Sequence, residues 1–170
     1  MIPLFLGLTL VNLIGLGTAA GLGYAAKAGY PVGSWHVLAG ALAALVCCAV
    51  HCVVFTYFAA TAKWVQHAIA VKHLDPQLAA PTRSFKAQAF PAAMLAIACS
   101  FLVAFLGAGA DNYQGAWPRW HHGFAIATFA VNVVAAAVEF RAIARNGRLI
   151  DGVLERINAP VGQATDHAGS

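Results

Sequence analysis

Residues 34–64 read SWHVLAGALAALVCCAVHCVVFTYFAATAKW, and Lys63 near the far end is the one Lys, Arg, Asp or Glu among them. Trp35 and Trp64 bracket the stretch, and their 29-residue separation corresponds to about 43 Å of α-helix at 1.5 Å per residue, close to a bilayer with its headgroups. Aromatic side chains at the two water interfaces are the usual anchors of such a helix. Residues 34–64 therefore read as a membrane span, and the remaining chain is interpreted from that point.

Apolar runs occur at about 3–26, 35–62, 87–110 and 118–140, and each exceeds the ~20 residues that cross a hydrocarbon core. The composition agrees: of 170 residues 61% are hydrophobic and 9% charged, against about 25% charged in soluble domains, and the mean hydropathy is +0.72. The expected fold is an all-α integral membrane four-helix bundle, with a transmembrane domain over 1–145 and a cytoplasmic tail over 146–170. No Lys or Arg precedes the first apolar run, which is longer than the apolar core of a secretory signal, so it is expected to be a retained helix.

The ten basic residues set an orientation. Lys63, Lys72, Arg83 and Lys86 surround the second connection and Arg141, Arg145, Arg148 and Arg156 follow the last span, whereas Lys27 and Arg119 flank the opposite side. This asymmetry places both termini in the cytoplasm. The net charge of +4 is then a matter of topology, and no nucleic-acid partner is expected. Ser34 suits a cap for the second span, Pro118 the first turn of the fourth, and Pro91 an early position in the third where a kink is expected. Asp75, Pro76 and Pro81 break the cytoplasmic connection. Gly17-x-x-x-Gly21 and Ala19-x-x-x-Gly23 in the first span point to close helix contact. Arg145-Asn146-Gly147 reads as a helix break, after which Leu149, Ile150, Val153, Leu154 and Ile157 have the spacing of a short amphipathic helix that lies on lipid or docks a partner. No internal repeat is evident.

Any chemistry rests on polar groups at membrane depth, which are expensive there and usually face the bundle interior. His121, Ala125, Thr128, Asn132, Ala135 and Glu139 recur at helical spacing and form one stripe of the fourth span. His36, Gly40, Ala43, Cys47 and His51 form a comparable face of the second. His36 and His121 fall near the outer ends of their spans, and His51 lies about 22 Å deeper than His36, in a layer expected to hold Asn12, Cys99 and Asn132.

The sharp reading of the outer layer is axial ligation of a b-type haem by His36 and either His121 or His122, with His51 as a weaker candidate ligand because the first and third spans contain no histidine to pair with it. The rival is a zinc or copper site from His36, His121, His122 and Asp111. The plain alternative is that these histidines, beside Trp35 and Trp120, are interfacial side chains. Cys47, Cys48, Cys52 and Cys99 form no CxxC pair; Cys47 and His51 at i and i+4 offer a thiolate and an imidazole to a metal, but the simpler expectation is small apolar residues. Glu139 is expected to pair with Arg141, Lys63 or Lys86 in a structural role, with proton entry as the less favoured alternative, and His51 to pair with Asn12, Asn132 or a cofactor.

HCVVFTYFAATAKWV (51–65), AFPAAM (89–94) and EFRAIARNGRLIDGVL (139–154) together resemble a family of small four-span bacterial membrane proteins. The resemblance covers about half the chain, implies the fold and a bacterial inner-membrane location, and brings no functional residues. No Ser/His/Asp arrangement, phosphate loop or carboxylate pair assembles, so the chain is not expected to be an enzyme on its own. Two classes remain: a haem-bearing electron-transfer subunit working with quinone or a larger redox complex, and a structural or assembly subunit that contacts lipid and other membrane subunits or further copies of itself.

Overall fold

The computed structural model describes residues 1–112 and 115–159, apart from the side chains of Asp111 and Asn112. It is a four-helix bundle: α1 (Ile2–Lys27), α2 (Gly33–Lys72), α3 (Ala80–Asn112) and α4 (Trp117–Asn158), with a single 3-10 turn, Pro76–Ala79, between α2 and α3. Each helix is long and apolar enough to cross a membrane. Neighbours in sequence pack as neighbours in space, α4 closes the ring against α1, and α2 touches α4 across the diagonal. One end of the bundle carries the α1–α2 and α3–α4 turns, here the hairpin end. The other carries both ends of the described chain and the α2–α3 connection, here the terminal end.

Two helices are far longer than their apolar runs. α2 has 40 residues and α4 has 42, about 60 Å each at 1.5 Å per residue and roughly twice a hydrocarbon core. α2 continues from Trp64 to Lys72 and stops at His73, whose left-handed backbone (φ 52°) caps it. α4 runs without interruption through Arg145-Asn146-Gly147, where a break was expected. Glycine inside a helix costs about 1 kcal/mol relative to alanine, but here tertiary contacts prevail. Asn146 is buried and donates to Tyr57 Oη and Thr61 Oγ1, both at 3.0 Å. Beyond it Val153 joins Val65 and Ile69 of α2 in a small apolar cluster flanked by Leu149, Ile150, Ile157, Leu74 and Leu78. The amphipathic segment is thus the last three turns of α4, and its apolar face is covered by this chain's own α2.

Other local expectations also shift. α2 begins at Gly33, with Val32 in the cap position and no side-chain cap bond, so Ser34 lies inside the first turn. Pro91 is interior to α3, which starts seven residues earlier than its apolar run. Prolines do occupy the first turns of α1 and α4, as their fixed φ favours. Of the two small-residue motifs in α1, only one makes a contact: a Cβ on Gly17 or Gly21 would meet nothing within 4 Å, whereas Ala19 is buried and Gly23 faces α2. Elsewhere the bundle closes through alanines, including Ala43 and Ala44 of α2, Ala89, Ala93 and Ala96 of α3, and Ala135 and Ala142 of α4. Small side chains let helices approach closely where lipid supplies no hydrophobic drive. Phe5, Val54, Phe58, Phe85 and Ile143 fill the core toward the terminal end.

Candidate functional site

The buried face of α4 places its polar residues on the bundle axis. Thr128, Asn132, Glu139 and Asn146 are each 1–2% exposed, with alanines between them. This is the stripe read from the sequence, extended by one more member. Together with α2 it builds a column of four polar layers.

At the hairpin end His36 of α2 and His121 of α4 come together, with ring centroids 5.9 Å apart and planes at 72°. Each ring is tied down in the same way. His36 Nδ1 lies 2.9 Å from the Ala19 carbonyl of α1, and His121 Nδ1 lies 3.0 Å from the Val103 carbonyl of α3. A carbonyl only accepts, so Nδ1 carries the hydrogen, and in a neutral ring the lone pair then belongs to Nε2. Each ring also lies against a glycine one turn beyond that carbonyl: a Cβ on Gly23 would stand 2.8 Å from His36 Cε1, and one on Gly107 would stand 3.0 Å from His121 Cε1. The α1–α2 and α3–α4 hairpins therefore present one histidine seat each, a structural repetition that the sequence did not reveal. One turn below His36, on the same face of α2, half-buried Gly40 has no atom within 4 Å of where a Cβ would be.

Helix rotation sends the adjacent histidines in different directions. His121 turns inward, while exposed His122 meets Tyr24 of α1, with Nε2 3.2 Å from the tyrosine hydroxyl and rings 5.1 Å apart. Asp111, the fourth member of the expected zinc or copper set, has its side chain outside the described residues. Among the described residues no three His, Cys, Asp or Glu side chains converge on a metal-sized site.

In the second layer Asn12 of α1 donates through Nδ2 to Asn132 Oδ1 at 2.9 Å, and Asn132 Nδ2 donates to the Thr128 carbonyl at 2.9 Å. The Cys47 thiol, 3.3 Å from Asn132 Oδ1, receives the Ser100 hydroxyl at 3.2 Å. Cys47 is thus a hydrogen-bonding member of the core, and the expectation of a merely apolar residue is corrected. Cys99 takes part through its backbone, whose carbonyl accepts from Thr128 Oγ1 at 3.3 Å. Buried Ser100 occupies the polar position instead. Cys48 is half-buried and Cys52 exposed, so neither joins Cys47 in the buried layer.

The third layer overturns two expected pairings. His51 Nδ1 lies 2.7 Å from Glu139 Oε1, and the two residues are 2% and 1% exposed. His51 bonds neither Asn12 nor Asn132, which bond each other nearer the hairpin end. Glu139 does not meet Arg141, because two residues turn a helix by about 200° and send the guanidinium to the opposite face; Lys63 is exposed and Lys86 only half-buried. The second atoms of the pair, His51 Nε2 and Glu139 Oε2, are buried without a partner. The fourth layer is the Asn146, Tyr57 and Thr61 cluster described above. Tyr57, Thr61, Ser100 and Asn146 were missed from sequence; for Asn146 the signal was present, since 132, 139 and 146 continue one seven-residue spacing. An open groove of about 530 Å³ at the terminal end, lined by Gln66, Ile69, His73, Leu74 and Pro76 among others, is separate from all four layers.

These features define a class: a four-span helical membrane protein whose interior carries a column of polar and ionisable side chains. Comparison of the chain with protein-family models, curated proteins and solved structures finds no match in any of the three.

Proposed function

We propose that this protein is a b-type haem-bearing electron-transfer subunit of a bacterial inner membrane, with both termini cytoplasmic and quinone or a larger redox complex as its electron partner. The observation that carries the reading is the His36–His121 pair, contributed by two separate helices with ring centroids 5.9 Å apart. Two imidazole nitrogens bound to one ion at ~2 Å each are about 4 Å apart, a spacing that ring centroids at this separation accommodate. The Nδ1 bonds to Ala19 and Val103 support it further. Metal-binding histidines commonly donate their second nitrogen to a carbonyl, which fixes tautomer and orientation. Nothing stands within 4 Å of a Cβ built on Gly40, one turn from His36, so no neighbouring helix crowds a group bound on that side. A haem bound there would supply one-electron transfer; the chain's own part is to hold and orient two imidazoles. The cytoplasmic placement of the termini rests on the excess of Lys and Arg at the terminal end.

An absorbance spectrum and pyridine haemochrome of protein purified with haem supplied during expression test this. A Soret band that is lost in both His36→Ala and His121→Ala, and kept in His122→Ala, is the expected result. Absence of haem in the wild type overturns the reading. Stoichiometric zinc or copper in the same sample would move the pair to a simple metal site, and neither haem nor metal would leave a structural or assembly subunit.

A further inference from the structure

The His51–Glu139 pair lies two layers away from the proposed haem ligands, about 22 Å from His36 along α2, and the inference that follows does not rest on the haem reading. Buried hydrogen-bonding atoms are almost always matched. Among the described residues four buried side-chain atoms lack a partner, Thr9 Oγ1, Asn12 Oδ1, His51 Nε2 and Glu139 Oε2, and the last two belong to the same pair. The groups facing it leave little else to balance its charge. On α2 the Cys47 thiol is one turn toward the hairpin end and Tyr57 lies toward the terminal end. α4 offers only the amides Asn132 and Asn146, one heptad away on either side. The buried residues of α3 at this depth are Phe85, Ala89, Ala93 and Ala96, and α1 contributes Phe5 and Asn12. Among the described residues no Lys or Arg is buried with the pair.

With a single hydrogen between Nδ1 and Oε1, the pair carries a net negative charge, and both unmatched atoms are bare acceptors. One further proton neutralises it. That proton adds to the Nε2 lone pair to form imidazolium, or to Oε2 to form a carboxylic acid; either way one N–H or O–H bond forms and a hydronium ion becomes water. The unmatched atoms are therefore the positions where a proton would enter and leave. The two ends differ in chemistry. Toward the hairpin end Asn12 donates to Asn132 and Ser100 to Cys47, and the atom left without a partner, Asn12 Oδ1, is an amide oxygen with no hydrogen to pass on. Toward the terminal end, seven residues or about 10 Å along α4, the Tyr57 and Thr61 hydroxyls meet Asn146, and hydroxyls can both donate and accept. Intramembrane Glu and His side chains of this kind commonly serve proton relays.

We propose that His51 and Glu139 form an intramembrane proton-binding site that takes up and releases one proton, carried by water, through the Asn146, Tyr57 and Thr61 cluster at the terminal end.

The chain offers a clean probe because its only glutamates are Glu139 and Glu155, and Glu155 is exposed. The full-length Glu155→Gln protein, labelled with [13C]carboxyl-glutamate and placed in lipid nanodiscs, has one labelled carboxyl. Its infrared or NMR signal is expected to change reversibly with pH and, in the infrared, to shift in deuterated water. In His51→Asn the midpoint of that change should move by more than a tenfold proton concentration. Asn146→Leu should slow the response to a pH jump several-fold and leave its endpoint unaltered, an effect that a merely structural role would not produce. A signal that stays constant over the whole pH range of the folded protein overturns the site. An unchanged rate in Asn146→Leu overturns the route. Haem content plays no part in these readouts, so failure of the haem reading would remain distinguishable.

Discussion

Gly23→Ala tests the histidine seat directly. The added Cβ would stand 2.8 Å from His36 Cε1, 3.1 Å from Nδ1 and 3.4 Å from Nε2, where carbon atoms prefer about 3.5–4.0 Å. The imidazole must retreat by roughly 0.7–1.2 Å to reach that range. Because the ring is held on this same α1-facing side by a 2.9 Å bond to the Ala19 carbonyl, a retreat of that size stretches the bond past the usual limit. Overpacking of this kind costs about 1–3 kcal/mol and the lost hydrogen bond about 1 kcal/mol, offset by about 1 kcal/mol from replacing glycine with alanine in a helix. The expected net destabilisation is about 1–3 kcal/mol, together with misdirection of His36. Thermal unfolding in detergent should show the lower stability, and haem content of the same sample should fall. Gly17→Ala is the control, since its Cβ meets nothing within 4 Å. Equal stability and equal haem content in the two variants would refute the argument that Gly23 exists to seat His36.

Further predictions concern the lower layers. Replacing His51 alone or Glu139 alone by leucine should destabilise the bundle by about 3–5 kcal/mol, because each leaves its partner buried and uncompensated, and the double replacement should cost less than either; a double-mutant cycle by denaturation reads the coupling, and additive costs would show that the two side chains do not act as a pair. Gly147→Ala should stabilise the protein by about 0.5–1 kcal/mol, since Gly147 lies inside continuous α4 and a Cβ there is unobstructed; loss of stability would point to a break at 145–147. Val153→Ala should release the terminal turns of α4 from Val65 and Ile69, seen as faster amide exchange over 149–158 with little change near His51.

Much of the fold was legible because the membrane imposes it. Four apolar runs of sufficient length, anchored by Trp35 and Trp64, leave helices as the only spanning solution when their connections are short. Helix ends were less legible. Hydropathy marks where lipid would begin, and it is silent about a helix that continues into water by packing on its neighbour, as α4 does from Asn146 to Asn158. The polar stripe of α4 and the meeting of His36 with His121 followed from periodicity and depth. Partner choice did not: Glu139 was matched to cations by charge, when rotation about the helix sends Arg141 away and brings His51 into reach. The glycine seats were illegible for a similar reason, since the residue each glycine accommodates belongs to another helix.

The seven-residue spacing of Asn132, Glu139 and Asn146 has a mechanical consequence. All three hydrogen-bond across helices, to Asn12, His51 and Tyr57 respectively. Turning α4 by one residue position, about 100°, would break these bonds together and drive a carboxylate toward the acyl chains. Sliding it by a single turn would leave every partner out of reach. α4 is thereby keyed to its neighbours like a toothed rack, and a piston or rotary motion of this helix would have to break all three bonds at once.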